Sequence, residues 1–323
     1  MILLVFTICL VMALMQRSAR FTPGLPRNVS TMAYHGTMMP PRFTGTSKKP
    51  AIMIKPLFTK VIILSAFVSV SNIASALPRA EIYGWKLVWR DEFNGSKIDS
   101  TKWSPCKRAG SDWNNTMTTE PKVFGIGHGQ LKLKGIVNRD LSKDKSPFLT
   151  GGVTSRGKYS FKYGKIVIRA RFDSASGAWP ALWLLGEKGS WPGNGEMDLM
   201  EHLNHDQIIY QTVHSAYTKK QPGVTPPASK TTTIKRDEFN TYGIEWDADK
   251  IVFTVNGEKT LSYPRIAAKG DDQWPFNQPF YIIMSMQIGG AWVGKADPQD
   301  YPVAMEIDWV RIYQREKPLS GKS

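Results

Sequence analysis

The stretch Trp191-Pro-Gly-Asn-Gly-Glu196-Met-Asp198-Leu-Met-Glu201-His202 sets three carboxylates within six residues, directly after a Gly/Pro turn. From Glu196 to Leu199 polar and apolar residues alternate with the period of a strand, so Glu196 and Asp198 share one face. Glu201 stands three positions past Asp198 and would point the other way on a regular strand. A β-bulge around Leu199-Met200 supplies the extra residue that returns it to the face of Glu196, and bulges are frequent beside active sites for this reason. Three carboxylates on one face repel one another. That cost makes sense where two of them flank a bond to be broken, with pKa values pushed apart by their surroundings. Taken alone, the cluster is open to two other readings: a solvated acidic strand edge, or a metal site drawing on Asp198, Glu201, His202 and His205. The second lacks the His-Glu-x-x-His spacing or any similar zinc pattern.

Outward from this segment, residues 81–316 read as short strands separated by Gly, Pro, Asn and Asp. The expected strands are 85–90, 130–135, 151–155, 158–161, 164–172, 179–185, 196–202, 207–215, 239–246, 250–255, 280–288 and 304–314. Almost no segment carries a 3.6-residue apolar stripe. Many evenly spaced strands with turn signals predict an all-β sandwich of two packed antiparallel sheets. Asn256-Gly257 marks a hairpin turn, and residues 218–233 read as a loop.

Composition narrows the partners. The formal charge is +15, but residues 1–76 hold eight Lys/Arg and no acid, and all 11 Trp follow them. The rest of the chain carries a modest positive excess with no dense basic run, which argues against nucleic acid as a partner. Residues 53–76 have the pattern of a signal peptide. A basic start, Met53 to Lys60, leads into an apolar run, Val61 to Val70, and then a small-x-small site at Ala74-Ser75-Ala76. Cleavage after Ala76 implies a secreted or periplasmic protein with no stable membrane insertion, the apolar run being too short to span a bilayer. Residues 1–52 are expected to be an over-extended, disordered N-terminus, with a membrane anchor at residues 2–15 as the alternative. Residues 77–323 then form one domain. Cys106 is the one cysteine in it, so its core must hold it together without an internal disulfide.

The ordered blocks around the acidic strand resemble family 16 of the glycoside hydrolases, the group of laminarinases, lichenases, agarases and carrageenases. The segment Glu196-Met-Asp198-Leu-Met-Glu201 fits the bulged Glu-[Ile/Leu/Met]-Asp-x-x-Glu signature. It is flanked in family order by Trp89-Arg-Asp-Glu92-Phe-Asn94, Phe161-Lys-Tyr163-Gly164 and Gly177-Ala-Trp179-Pro-Ala-Leu-Trp183 before it. Gln211-Thr-Val-His214, Gly243-Ile-Glu-Trp246, Gly289-Gly290-Ala-Trp292 and Met305-Glu-Ile-Asp308-Trp309 follow. The resemblance covers residues 81–316. It implies a concanavalin A-like β-jelly-roll with a concave cleft, acting on an internal β-linkage of a polysaccharide with retention of configuration and no catalytic cofactor. Glu196 is then the nucleophile and Glu201 the general acid and base. Asp198 orients Glu196 between them.

Further positions carry roles in substrate binding. Trp179 and Trp183 lie four apart on a strand and share a face, suited to stacking on sugar rings, although a core pair reads equally from the spacing. Trp292, after Gly289-Gly290, suits a loop on the cleft. His214 is expected near Glu201, and Trp191 is expected to steady the loop entering the catalytic strand. Asn94 and Arg156 match positions that bind sugar hydroxyls in relatives. The resemblance also implies a structural calcium on the carbonyls of Glu92 and Gly129 and the Asp308 carboxylate, an all-oxygen set suited to a hard cation. A monomer is expected. The first expected substrate is β-1,3- or mixed β-1,3/1,4-glucan. The alternative is a galactose-containing glycan, because residues 202–208 depart from the aromatic-then-Val/Ile-Gly form typical of glucanases. A carbohydrate-binding sandwich without turnover and a transglycosylase are the other readings.

Overall fold

The computed structural model describes residues 84–220 and 226–316; the expected signal segment and residues 1–52 lie outside them. Seventeen strands form: β1 (Trp85–Asp91), β2 (Ser104–Pro105), β3 (Phe124–Gly127), β4 (Gln130–Val137), β5 (Phe148–Thr150), β6 (Gly152–Thr154), β7 (Ser160–Phe161), β8 (Gly164–Phe172), β9 (Ala178–Gly186), β10 (Glu196–Glu201), β11 (Ile208–His214), β12 (Ser229–Thr233), β13 (Asn240–Trp246), β14 (Lys250–Val255), β15 (Glu258–Pro264), β16 (Phe280–Ile288) and β17 (Val303–Arg315). They make a nine-stranded sheet in the order β15-β14-β13-β8-β17-β4-β3, with β1 also on β17 and β5 on β4. The eight-stranded sheet runs β12-β11-β10-β9-β16-β6-β2, with β7 also on β16. The central ladders of both sheets are antiparallel.

Period-2 alternation explains why two sheets pack. In β8, Ile166, Ile168 and Ala170 are fully buried, while Lys165, Val167 and Arg169 between them are half-buried. Their apolar faces join Leu182 and Leu184 of β9, Ile282, Met284 and Met286 of β16, and Met305, Ile307, Val310 and Ile312 of β17 in one core. The expected all-β sandwich is therefore present. Burial of this apolar face is its main stabilisation, at roughly 25 cal/mol per Å² removed from water. Cys106 is buried and free, and burial pushes its thiol up to about 12, so it carries no reactive thiolate.

Two departures from the sequence expectation matter for the site. The stretch read as a loop over residues 218–233 contains β12, and a short helix, Ala216–Lys220, precedes it. The strands β2, β3 and β5 are two to four residues long, too short for alternation to reveal. The Asn256-Gly257 turn is as expected: both residues have positive φ, 51° and 86°, and the turn joins β14 to β15. No helix among the described residues is long and apolar enough to cross a membrane.

Candidate active site

The acidic strand β10 lies inside the eight-stranded sheet, between β9 and β11. Its register shows the bulge. Against β9, Asp198 pairs with Trp183 and Met200 with Leu182, so Leu199 is the extra residue. Against β11, Asp198 pairs with Thr212 and Glu201 with Tyr210. Leu199 and Met200 both turn into the core, fully buried, and Glu196, Asp198 and Glu201 all reach the opposite face. The carbonyl of Leu199, which the bulge takes out of the regular ladder, accepts a 2.9 Å hydrogen bond from the buried Gln211 side chain. Gly195 sets the entry to the strand. Its φ is +75°, and a Cβ there would lie 2.8 Å from Pro275 and 3.0 Å from Phe276, so only glycine fits.

The three carboxylates line a cleft of about 630 Å³. Its walls include Trp179, Trp183, Trp191, Tyr210, His214 and Trp292. The Trp179 indole N–H donates to Glu201 Oε1 at 3.0 Å. Trp292 meets Trp179 edge-on at 5.4 Å and Tyr210 at 5.3 Å between ring centroids. Trp183 is 6% exposed and donates to Ser285 Oγ at 3.2 Å, with Trp113 edge-on to it at 5.0 Å. It is the floor of the cleft more than a free stacking platform.

Burial dominates the electrostatics. It pushes Glu196 up to about 8, with Asp198 adding to the effect. Burial also pushes Asp198 up to about 7, while the hydrogen bond shared with Glu196 and the positive charge of Lys219 act against it. Glu201 stands well above the usual carboxylate range, first through burial and then through Asp198 and Glu196. Carboxyls crowded in a partly dry site cannot all ionise, so they share protons. Burial thus favours the protonated form of all three, which suits a carboxyl that donates a proton, whereas one that attacks must first lose its own. His214 takes part from across the ladder. It pairs with Glu196 in register, and its Nε2 lies 3.3 Å from Asp198 Oδ2 and 4.0 Å from Glu196 Oε1. Burial lowers its pKa.

Two placements, those of His214 and Asn94, correct the sequence reading, and two more locate Arg156 and Trp191. His214 stands beside Asp198 and Glu196 rather than Glu201, because it is β11's partner of Glu196. Asn94 is exposed and lines a separate hollow with Arg90, Glu92 and Lys97, since it follows β1 in the other sheet. Arg156 is outside the cleft lining; its guanidinium lies 5.5 Å over the ring of Tyr281, the register partner of the cleft residue Leu185. Trp191 stands 50% exposed on the cleft, with its side chain hydrogen-bonded to Glu196 at the start of the catalytic strand. The alternative metal set also separates: His202 Nε2 is 2.8 Å from the Asp206 carbonyl and its ring packs on Phe172, while His205 lies near Asp300. Alternation along β11 from His214 back to Thr212 and Tyr210 was the signal that would have found Tyr210. Trp113 and Lys219 had none.

The strands flanking the expected calcium donors pair with β17. Asp91 at the end of β1 pairs with Val310, and Leu131 near the start of β4 pairs with Ile307, so both segments meet β17 around Asp308. A side chain on Gly129 would lie 3.9 Å from the Glu92 carbonyl oxygen and 3.2 Å from Asn94 Oδ1. Asp308 Oδ2 is paired with Arg169, leaving one carboxylate oxygen to join the carbonyls. The donor set is all oxygen and fits a hard cation.

Comparison with known proteins agrees with this geometry. Residues 111–311 match the model of glycosyl hydrolases family 16, and the chain belongs to that family. It is 38% identical over 236 residues to a keratan-sulfate endo-1,4-beta-galactosidase of Sphingobacterium multivorum, a match covering 71% of this chain and 55% of that protein. It is 34% identical over 248 residues to a beta-glucanase of Rhodothermus marinus, covering 71% of this chain and 85% of that one. A solved structure from work on endo-acting O-glycanases of the human gut microbiota that initiate mucin breakdown is 34% identical, with a TM-score of 0.61, over 72% of this chain and 92% of that one. The chain thus spans about half the length of the first of these relatives and most of the other two.

Proposed function

We propose that this protein is an endo-acting β-glycan hydrolase that works by double displacement. The observation that carries the reading is the bulged strand, which turns Glu196, Asp198 and Glu201 onto one cleft floor beside Trp179. Glu201 gives its proton to the departing glycosidic oxygen while the Glu196 carboxylate attacks the anomeric carbon and forms a glycosyl ester. Glu201, now ionised, takes a proton from a water that attacks the same carbon and releases Glu196. Asp198 holds the proton that Glu196 must shed before attack, and His214 shares it. Trp179 fixes the Glu201 carboxyl through its N–H, while its ring edge meets Trp292 on the wall where a sugar would stack. No cofactor is needed for these steps. Calcium on Glu92, Gly129 and Asp308 would tie β1 and β4 to β17, a role in stability. Export through the segment 53–76 and a monomeric state complete the reading.

For the substrate, β-1,3- or mixed β-1,3/1,4-glucan is supported by the beta-glucanase that the chain spans almost throughout. A galactose-containing glycan is the second reading. The higher identity to the keratan-sulfate enzyme favours it, together with His202 where glucanases carry an aromatic. Digestion of laminarin, lichenan, agarose, porphyran, keratan sulfate and mucin glycans by the purified protein decides between them. Oligosaccharides from the first two support glucan, and oligosaccharides from the others support galactan. No product from any of them would contradict an enzyme and leave a binding module.

A further inference from the structure

We infer that Lys219 binds an anionic substituent, a sulfate ester or a carboxylate, on the glycan held at the Glu196 side of the cleft. The inference rests on the glycanase reading and adds a substrate class to it. Lys219 is the one Lys or Arg among the described residues lining the cleft, where the other charged side chains are the three carboxylates. Among the described residues it has no carboxylate within ion-pairing distance, whereas its neighbour Lys220 pairs with Asp272 at 3.0 Å. Its ammonium lies instead 4.9 Å from the ring centroid of Trp191, an indole half open to solvent. A cation over an exposed indole is weakly attracted, enough to bias a long side chain towards the cleft without neutralising it.

The backbone fixes where that charge stands. The helix Ala216–Lys220 starts directly after β11, and Ser215 and Thr218 cap one another: Ser215 N–H donates to Thr218 Oγ1 at 2.8 Å and Thr218 N–H to Ser215 Oγ at 3.3 Å. The Lys219 N–H donates to the Ser215 carbonyl at 3.1 Å. Lys219 is therefore tethered to the strand end that carries His214, the register partner of Glu196, while Tyr210 opposes Glu201. The Trp191 ring bridges the two, 6.2 Å from His214. A neutral glycan needs no ammonium there. An anionic one entering a cleft floored by carboxylates needs a compensating charge, and an ammonium held beside an indole supplies it. A competing role is support of the carboxylates alone. In that case replacing Lys219 would shift the pH profile of hydrolysis but leave the relative binding of anionic and neutral glycans unchanged.

The test uses the full chain carrying Glu201→Gln to silence turnover, with and without Lys219→Met. Dissociation constants are measured at about 0.15 M salt, the physiological ionic strength, for keratan-type and laminarin-type tetrasaccharides in neutral, sulfated and uronic-acid forms. The parent is expected to bind at least one anionic form about ten-fold more tightly than its neutral match. Lys219→Met is expected to erase that difference and leave neutral binding within about two-fold. The sulfated and uronic arms separate the two anions. Equal binding of neutral and anionic forms by the parent, or an anionic preference that survives Lys219→Met, overturns the inference while leaving the glycanase reading intact. Binding of no tetrasaccharide, together with no turnover by the unsubstituted chain, overturns both. A pH profile on neutral glycan that moves with Lys219→Met is expected from the lost charge near Asp198, and if it is the sole change, with the anionic preference intact, it overturns the inference.

Discussion

At Glu196 burial of the carboxyl costs stability. Its pKa rises from the ordinary 4.5 to about 8, so the folded chain holds a proton there that the unfolded chain has released across that window. A group that binds more protons folded than unfolded makes stability fall as pH rises, here between about 4.5 and 8. Glu201 is raised in the same direction. A ten-fold change in proton affinity is worth about 1.4 kcal/mol, so glutamine, isosteric and uncharged, relieves a cost of a few kcal/mol. Glu196→Gln and Glu201→Gln should each melt several degrees above the unsubstituted protein at pH 8, at roughly 2–4 °C per kcal/mol. Near pH 4 the curves should coincide. Thermal unfolding at the two pH values checks this, and equal melting temperatures at pH 8 would show that the carboxyls are ionised without strain.

The strand β10 shows what the sequence could and could not say. The bulge was legible because Leu199 and Met200 are adjacent and apolar inside an alternating run, and both do turn into the core. Alternation also made the central strands of both sheets readable. The short edge strands and the helix Ala216–Lys220 were not, since two to five residues carry no period. Partners fixed by tertiary packing were equally hidden: nothing in Gln211-Thr-Val-His214 says that Gln211 reaches across to the bulge. Yet Gln211 is fully buried, bonded to the Leu199 carbonyl, and itself receives the Thr260 hydroxyl. Gln211→Leu leaves that carbonyl unpaired, and should cost about 1–3 kcal/mol. Because the bulge aims Glu201, kcat should fall together with stability. Denaturant unfolding paired with initial rates checks this; lost stability with unchanged kcat would mean that the strand holds its bulge unaided.

On the scale of the molecule, one sheet supplies the chemistry and the other supports it. The nine-stranded sheet completes the core, while the eight-stranded sheet spreads its carboxylates and aromatic residues over one open face. Ser111 and Trp113, Trp191, and Ser229 reach the cleft from three separate segments of the chain. Asn94 could not be placed correctly at this scale, since residue identity alone does not tell which sheet a strand end belongs to. At the centre of the proposed mechanism are two glutamates acting from opposite sides of one anomeric carbon. The most direct measurement is the configuration of the glycosyl azide formed when azide rescues Glu196→Ala and Glu201→Ala on an activated aryl β-glycoside. With the nucleophile gone, azide attacks once, and Glu196→Ala should yield the α-azide. With the acid and base gone, azide resolves the glycosyl ester, and Glu201→Ala should yield the β-azide. The reverse pairing, or the same anomer from both variants, would contradict the roles assigned to Glu196 and Glu201.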